Sequence, residues 1–322
     1  MSSHDLPSDP LWPRAGHWLK RATGAAEMPA CDLALLGVPA HATSITPTGA
    51  HATPAAVRDA LLRYSTYAAS RHVDVSVLSA VDLGDVADPD GREGELRVLA
   101  ESAEAASRCE LLVAVGGDNS ITFAVASGVL GAGVASGAGG GAAQTRGLPG
   151  GLVTLDAHHD LRDGINNGSP VRRLVEAGLD GRRIAQVGIL DFSNSAAYAL
   201  RARELGITAI GRDEVERRGI SQVMAQALQI AGADDGPVHV DFDVDVCDRA
   251  VVPGCPSAAP GGLSAMELRQ AAFLAGLDPR VRSIDITEID ATIDARDGRT
   301  VRLAALLVLE AAAGLALRLG RG

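Results

Sequence analysis

The chain has 322 residues, of which 47% are hydrophobic and 21% are charged. This is ordinary globular composition, and it excludes disorder over most of the length as well as collagen-like or coiled-coil structure. The formal net charge of −11, with no basic stripe in the sequence, argues against a nucleic-acid-binding surface.

The predicted elements alternate along the chain between short apolar strands and amphipathic or alanine-rich helices. We predict strands at residues 32–37, 73–78, 111–115, 152–155, 184–189, 209–210, 238–244 and 283–286. Helices are predicted at residues 53–64, 95–108, 120–130, 171–177, 195–204, 220–231, 264–275 and 299–315. This alternation predicts an α/β fold, with a single domain over residues 1–322, three layers (α/β/α) and a mostly parallel sheet.

Three segments need a separate interpretation. Residues 1–30 are predicted as an N-terminal tail, and residues 131–151, rich in Gly and Ala, as a flexible surface insertion. The apolar stretch 303–317 contains Glu310, so we expect a buried helix and no membrane partner. The N-terminus lacks the apolar segment of a secretory signal, and the four cysteines form no CxxC pair, which favours a cytoplasmic protein.

Four motifs rich in acidic residues or histidine each follow a predicted strand. They are GGDNS at 116–120, DAHHD at 156–160, DFDVDVCD at 241–248 and DITEID at 285–290. In an open parallel sheet the carboxyl ends of the strands meet at one edge. We therefore expect these four motifs to converge on one crevice.

The spacing of these residues predicts a metal centre. In an extended segment alternate residues face the same side, which aligns Asp156, His158 and Asp160, and likewise Asp243 with Asp245. Four carboxylates crowded together cannot all stay ionised unless cations neutralise them. Two divalent cations would do so, and an oxygen-rich set with imidazole favours Mn²⁺, with Fe²⁺, Co²⁺ and Zn²⁺ left open.

These motifs resemble those of the ureohydrolase superfamily, the binuclear manganese enzymes that include arginase, agmatinase and formimidoylglutamase. The resemblance extends from residue 36 to the last predicted helix. It implies an arginase-like fold in which Asp156 and Asp243 bridge two Mn²⁺ ions per subunit. Asp160 would complete one site, and His158 with Asp245 the other. It also implies a homo-oligomer, a trimer or hexamer.

Two departures from the family pattern indicate the branch. The usual GGDHS motif reads GGDNS, so Asn119 stands where one cation has a histidine ligand, and an amide oxygen should hold that ion more weakly. The NHG segment that follows the second motif in guanidine-cleaving members reads Asn166-Asn167-Gly168. The DAHHDLR and NGSPVRRL segments, with residues 189–195, resemble formimidoylglutamase instead.

The resemblance implies a small-molecule substrate with an amidinium at one end and two carboxylates at the other. Arg162 would bind one carboxylate, because guanidinium binds carboxylate through two parallel hydrogen bonds. Arg172 is a candidate for the other carboxylate or for a helix surface, and Asn167 for a substrate contact. Glu288 would hydrogen-bond the amidinium.

The expected reaction is hydrolysis of N-formimidoyl-L-glutamate, an intermediate of histidine breakdown, to L-glutamate and formamide. A hydroxide shared by both metals would attack the amidine carbon, and Asp160 would pass a proton to the leaving amine. Two alternatives stay open. One is hydrolysis of a carboxylated guanidine such as 4-guanidinobutyrate, releasing urea, and the other is a non-catalytic homologue.

Overall fold

A nine-stranded sheet forms the centre of the molecule. This computed structural model describes residues 9–135 and 147–321, and only the backbone of residues 132–135. The sheet strands are β1 (Lys20–Arg21), β2 (Cys31–Val38), β5 (Ala80–Asp85), β6 (Cys109–Gly116), β7 (Gly151–Leu155), β8 (Ile184–Ile189), β9 (Thr208–Gly211), β10 (Val238–Asp243) and β11 (Val281–Thr287). Their spatial order is β1-β5-β2-β6-β11-β10-β7-β8-β9, and every neighbouring pair is parallel. Strands β3 (Tyr67–Ala68) and β4 (Val73–Asp74) pair separately as a small antiparallel hairpin.

The helices cover both faces of this sheet. They are α1 (Thr53–Leu61), α2 (Gly91–Arg108), α3 (Ile121–Ala135), α4 (Pro170–Glu176), α5 (Ala196–Glu204), α6 (Arg212–Arg218), α7 (Ile220–Ala231), α8 (Ala265–Leu277) and α9 (Arg299–Arg318). Leu33 and Leu35 of β2 pack into the core with α1, α7, α8 and α9. Ala34 and Leu36 face the opposite side, toward α2 and α3. The predicted three-layer α/β/α fold is therefore confirmed.

The predicted strand at residues 73–78 is wrong. Val73 and Asp74 belong to the hairpin, and Asp74 then accepts a hydrogen bond from the Ser76 N–H, which begins a 3-10 turn. The sheet strand is the next segment, β5. Its Asp82 is held by Arg58 at 2.9 Å, and such a buried acid obscures the apolar pattern of the strand.

The N-terminal and insertion boundaries also differ from the prediction. Lys20 and Arg21, inside the predicted tail, form the edge strand of the sheet, and helix α6 has no counterpart among the predicted elements. Gly131 and the next four residues continue α3, and Gly151 begins β7. The rest of the predicted insertion, residues 136–146, lies outside the described residues.

Helix α9 is a core helix, as the sequence predicts. Within the described ranges it alone has the length and mean hydropathy to cross a membrane, but 72% of its apolar window is buried inside the protein. It packs against α8 and α1. Helix α8 is fixed at its start by a capping box between Ser264 and Glu267.

Candidate metal centre

Four neighbouring strands, β6, β11, β10 and β7, occupy the middle of the sheet and carry the four motifs at their carboxyl ends. Gly117, after β6, has no space for a side chain, because a Cβ there would lie 1.8 Å from the Ala40 carbonyl oxygen. The Gly117 carbonyl instead accepts from the Glu288 N–H at 3.0 Å. This backbone contact joins the first motif to the last.

Asp156, His158 and Asp245 form the tightest cluster, with one potential ligand atom of each within 4.8 Å of the others. His158 Nδ1 lies 2.8 Å from Asp245 Oδ2 and 3.4 Å from Asp156 Oδ1. Burial opposes protonation of His158, but the carboxylates of Asp245 and Asp156 outweigh it and raise the pKa of His158 to about 12. Burial also raises the pKa of Asp156 to about 6, assisted by the charge of Asp245.

The carboxylates of Asp160 and Asp243 lie beside this cluster. Strand β7 ends at Leu155, before the motif begins, and the chain turns at Asp160, which has a left-handed backbone with φ 52°. Burial, together with the neighbouring carboxylates, holds the pKa of both residues well above the usual range. Asp156 Oδ2 is buried and has no hydrogen-bond partner in the described part of the chain.

This set of donors fits divalent cations. Buried carboxylates whose charges raise each other's pKa, with an unpartnered oxygen among them, need either protons or bound cations to be neutralised. Carboxylate oxygens with one imidazole are ligands that Mn²⁺ accepts. The residues present are therefore chemically suited to the metal centre that the sequence predicts.

The orientation of Asn119 differs from what its expected role as a ligand requires. Its Nδ2 donates to Asp160 Oδ2 at 2.6 Å, whereas its Oδ1 accepts from the hydroxyls of Thr122 and Thr287 at 2.7 and 3.1 Å. The amide thus turns its nitrogen, which cannot ligate a cation, toward the carboxylates. In this arrangement Asn119 is a hydrogen-bond donor to Asp160, because two hydroxyls and one carboxylate fix the direction of the amide.

Glu288 is held by two donors at one oxygen. Its Oε1 accepts from the Asn119 N–H and from Asn167 Nδ2, each at 2.8 Å. Burial and the charge of Asp118 raise the pKa of Glu288 to about 8, although these two hydrogen bonds oppose the rise. Asn167 Oδ1 in turn accepts from the Ile45 N–H at 3.0 Å. Asn167 therefore connects Glu288 with the loop around residue 45.

A cleft of about 240 Å³ lies above these groups and is lined by His158, Asp160, Asp243, Asp245 and Glu288 together with Arg162 and Asn167. The structure places Arg162 here as the sequence predicts, and no described residue pairs with its guanidinium. Arg172 does not line the cleft. Its guanidinium donates to the carbonyls of Arg162 and Gly164 and to Glu176, so a substrate-binding role for Arg172 is not supported.

Sequence reasoning missed part of this cleft. Ile45, Ser193 and Tyr198 line it. No pattern marks Ile45 or Tyr198, whereas the available signal for Ser193 was its place in the segment 189–195. Asp118 is fully buried and its Oδ2 has no partner among the described residues; its position inside GGDNS was the available signal. His159, the remaining histidine of DAHHD, does not line the cleft, and its Nδ1 lies 2.7 Å from Gln186 Oε1.

Comparison with known proteins finds relatives over most of the chain. Residues 31–314 match the family described as the arginase family. The formimidoylglutamase of Halalkalibacterium halodurans is 33% identical over 291 residues, which cover 85% of this chain and 84% of that protein. The crystal structure of formimidoylglutamase from Bacillus subtilis has a TM-score of 0.85 at 29% identity, covering 97% of this chain and 95% of that one. Trypanosoma cruzi formiminoglutamase, solved with Mn²⁺, shares the fold with a TM-score of 0.83 at 24% identity, covering 95% of this chain and 99% of that one.

Proposed function

Because the chain belongs to the arginase family, we propose that it hydrolyses N-formimidoyl-L-glutamate to L-glutamate and formamide. One observation carries the proposal: the cleft has a buried carboxylate, Glu288, for an amidinium, and a cation that no described residue pairs, Arg162, for a carboxylate. The similarity to the formimidoylglutamases of H. halodurans and B. subtilis supports the same substrate. A substrate without a carboxylate would leave Arg162 unpaired.

We propose that Asp156, His158, Asp160, Asp243 and Asp245 hold two divalent cations, Mn²⁺ in the first place. When bound, the cations supply hydroxide at neutral pH by lowering the pKa of water. The crowded carboxylates would then be neutralised by charge and not by protons. Asn119 would act at this centre through Asp160, whose Oδ2 it fixes.

The protein groups orient the substrate and move its proton. Glu288, fixed at Oε1 by Asn119 and Asn167, accepts the N–H groups of the amidinium and turns the amidine carbon toward the carboxylates. Asp160 Oδ1, the oxygen that Asn119 leaves free, takes a proton from the attacking water and passes it to the leaving amine. The water oxygen bonds to the amidine carbon, the bond from this carbon to the glutamate nitrogen then breaks, and the protonated nitrogen leaves in L-glutamate while the carbon leaves in formamide.

We further propose a cytoplasmic location and a homo-oligomer, a trimer or hexamer. All four cysteines are free and buried, and burial raises the pKa of the Cys31 thiol to about 11 and that of Cys109 to about 12. Thiols of this kind suit a reducing compartment.

The test is product analysis after incubation of the Mn²⁺-loaded protein with N-formimidoyl-L-glutamate, 4-guanidinobutyrate, agmatine and arginine. We expect glutamate and formamide from the first substrate only, and no product from the Glu288→Gln variant at equal Mn²⁺ content. Urea from 4-guanidinobutyrate would support the guanidine alternative. If the metal-loaded protein released no product from any substrate, the proposed function would be refuted, and absence of bound metal after purification in Mn²⁺ would support the non-catalytic alternative.

A further inference from the structure

The segment that follows β8 forms a wall of the cleft. We propose that the hydroxyls of Ser193 and Tyr198 on this wall bind the second carboxylate of the substrate, while Arg162 binds the first. The inference rests on the proposed function and extends it from one carboxylate subsite to two.

The backbone after β8 directs small polar residues into the cleft. Phe192 adopts a left-handed conformation with φ 66°, and its ring is fully exposed to solvent. The two following residues, Ser193 and Asn194, line the cleft. Asn194 fixes this turn to the metal-binding segment, because its Nδ2 donates to the Ala157 carbonyl at 2.8 Å and its Oδ1 accepts from the His159 N–H at 3.0 Å.

Tyr198 is linked through Arg201 to the segment that carries Arg162. The Ser195 hydroxyl caps α5 by accepting from the Tyr198 N–H at 3.2 Å. One turn along the helix, the Arg201 guanidinium lies 5.6 Å from the centre of the Tyr198 ring. The same guanidinium donates to the Leu161 carbonyl at 2.6 Å and to Asp163 at 2.9 Å. Arg201 thereby ties Tyr198 to the residues on either side of Arg162.

Ser193 and Tyr198 differ from Asn194 and Ser195 on the same wall, because their hydroxyls are not engaged by any described residue. In the described ranges no residue hydrogen-bonds the Tyr198 or Ser193 hydroxyl or the Arg162 guanidinium. The Asn194 amide beside them is engaged at both ends. A hydroxyl donates one hydrogen, so two hydroxyls match the two oxygens of a carboxylate.

The charge distribution of the cleft favours this assignment. The acidic lining residues, Asp160, Asp243, Asp245 and Glu288, cluster at the candidate metal centre. The segment 193–198 that lines the cleft contributes no acidic side chain. A carboxylate at this wall therefore meets donors and not a like charge, and hydrogen bonds to a charged acceptor are the stronger ones.

The test combines variants with substrates that lack one carboxylate. The substrates are N-formimidoyl-L-glutamate, N-formimidoyl-4-aminobutyrate without the α-carboxylate, and N-formimidoyl-L-2-aminobutyrate without the γ-carboxylate. For Tyr198→Phe and Ser193→Ala we expect a roughly 10-fold or larger loss of kcat/KM, mainly through KM, with the dicarboxylate. Each should lose less than about twofold with the one analogue that lacks the carboxylate bound by the hydroxyls. Arg162→Gln should lose less than about twofold in kcat/KM with the other analogue, which lacks the carboxylate bound by Arg162. Tyr67→Phe, which removes the hydroxyl of an exposed tyrosine of β3, serves as the matched control.

Equal losses of Tyr198→Phe on all three substrates, or no loss on the dicarboxylate, would overturn the proposal. Failure of the wild type to hydrolyse any amidine would refute the proposed function instead. The subsite is then tested by calorimetric titration of L-glutamate into the Mn²⁺-loaded protein. Binding that weakens about 10-fold in both Tyr198→Phe and Arg162→Gln supports two carboxylate subsites, and binding unchanged in Tyr198→Phe excludes them.

Discussion

The side-chain amide of Asn167 joins the carboxylate of Glu288 to the loop at the mouth of the cleft. Its nitrogen donates to Glu288 Oε1 at 2.8 Å and its oxygen accepts from the Ile45 N–H at 3.0 Å. With Oε1 occupied in this way, we propose that the other oxygen of Glu288 binds the substrate. We therefore propose that Asn167 is a positioning residue, where the sequence predicts a substrate contact.

Replacing the Asn167 donor by an acceptor should disturb Glu288 more than removing it. We expect Asn167→Ala to lower kcat/KM by roughly 10- to 100-fold, the effect of one lost hydrogen bond to a charged group. Asn167→Asp should lower it further, because a second carboxylate would repel Glu288. Steady-state kinetics at equal Mn²⁺ content measures both. An Asn167→Asp variant as active as Asn167→Ala would show that the contact does not position Glu288.

Asn119 contributes a donor to Asp160, and this contact should govern the metal dependence of stability. In Asn119→Asp the donor is lost and a carboxylate faces Asp160, so without metal we expect the free energy of unfolding to fall by about 2–4 kcal/mol. Mn²⁺ should restore most of it, since a carboxylate is a good ligand. Urea denaturation of each variant, once with EDTA and once with Mn²⁺, gives two unfolding midpoints, and the gap between them measures the stabilisation by Mn²⁺. The gap should widen in Asn119→Asp and stay unchanged in the control Asn166→Asp; an unchanged gap in both would contradict the role given to Asn119.

The stability of the metal-free protein should fall as the pH rises from 6 to 8. Burial raises the pKa of Asp156 to about 6 and that of Glu288 to about 8, whereas carboxyl groups of an unfolded chain titrate near about 4. The folded state therefore binds protons more tightly, and its stability declines between about pH 4 and pH 8. The raised pKa of His158 acts in the same direction above about pH 6.5.

Thermal unfolding at pH 6, 7 and 8, with EDTA or with Mn²⁺, tests this expectation. The melting temperature in EDTA should decrease across the series, and the stabilisation by Mn²⁺ should increase, because cations replace the protons that neutralise the carboxylates. A stabilisation by Mn²⁺ that does not vary with pH would indicate that these carboxylates do not hold the metal.

We expect Arg162 to bind the substrate and Arg172 to stabilise the fold. Arg172→Ala removes the donors to the carbonyls of Arg162 and Gly164, so we expect a loss of about 1–2 kcal/mol in unfolding free energy with kcat/KM changed by less than about fivefold. Arg162→Ala should raise KM about 10-fold or more and leave the unfolding free energy unchanged. Steady-state kinetics and urea denaturation of both variants test these roles. A larger rise in KM for Arg172→Ala than for Arg162→Ala would reverse the assignment.

Much of the fold could be predicted from the sequence, because the spacing of hydrophobic residues reflects the local secondary structure. Seven of the eight predicted strands correspond to strands of the central sheet. The failures have local causes: Asp74 starts a 3-10 turn inside an alternating run, and Asp82 interrupts the apolar pattern of β5. Strand β1, with two residues, is too short to show a period.

By itself the sequence determined that acidic motifs follow parallel strands, and parallel strands bring their carboxyl ends to one edge. Only the tertiary structure made β6, β11, β10 and β7 neighbours. It also decided the direction of the Asn119 amide, the contact between Asn167 and Glu288, and the position of Arg172 outside the cleft. These contacts join residues as far as 168 positions apart, and their geometry depends on side-chain rotamers and loop conformations that no local pattern encodes.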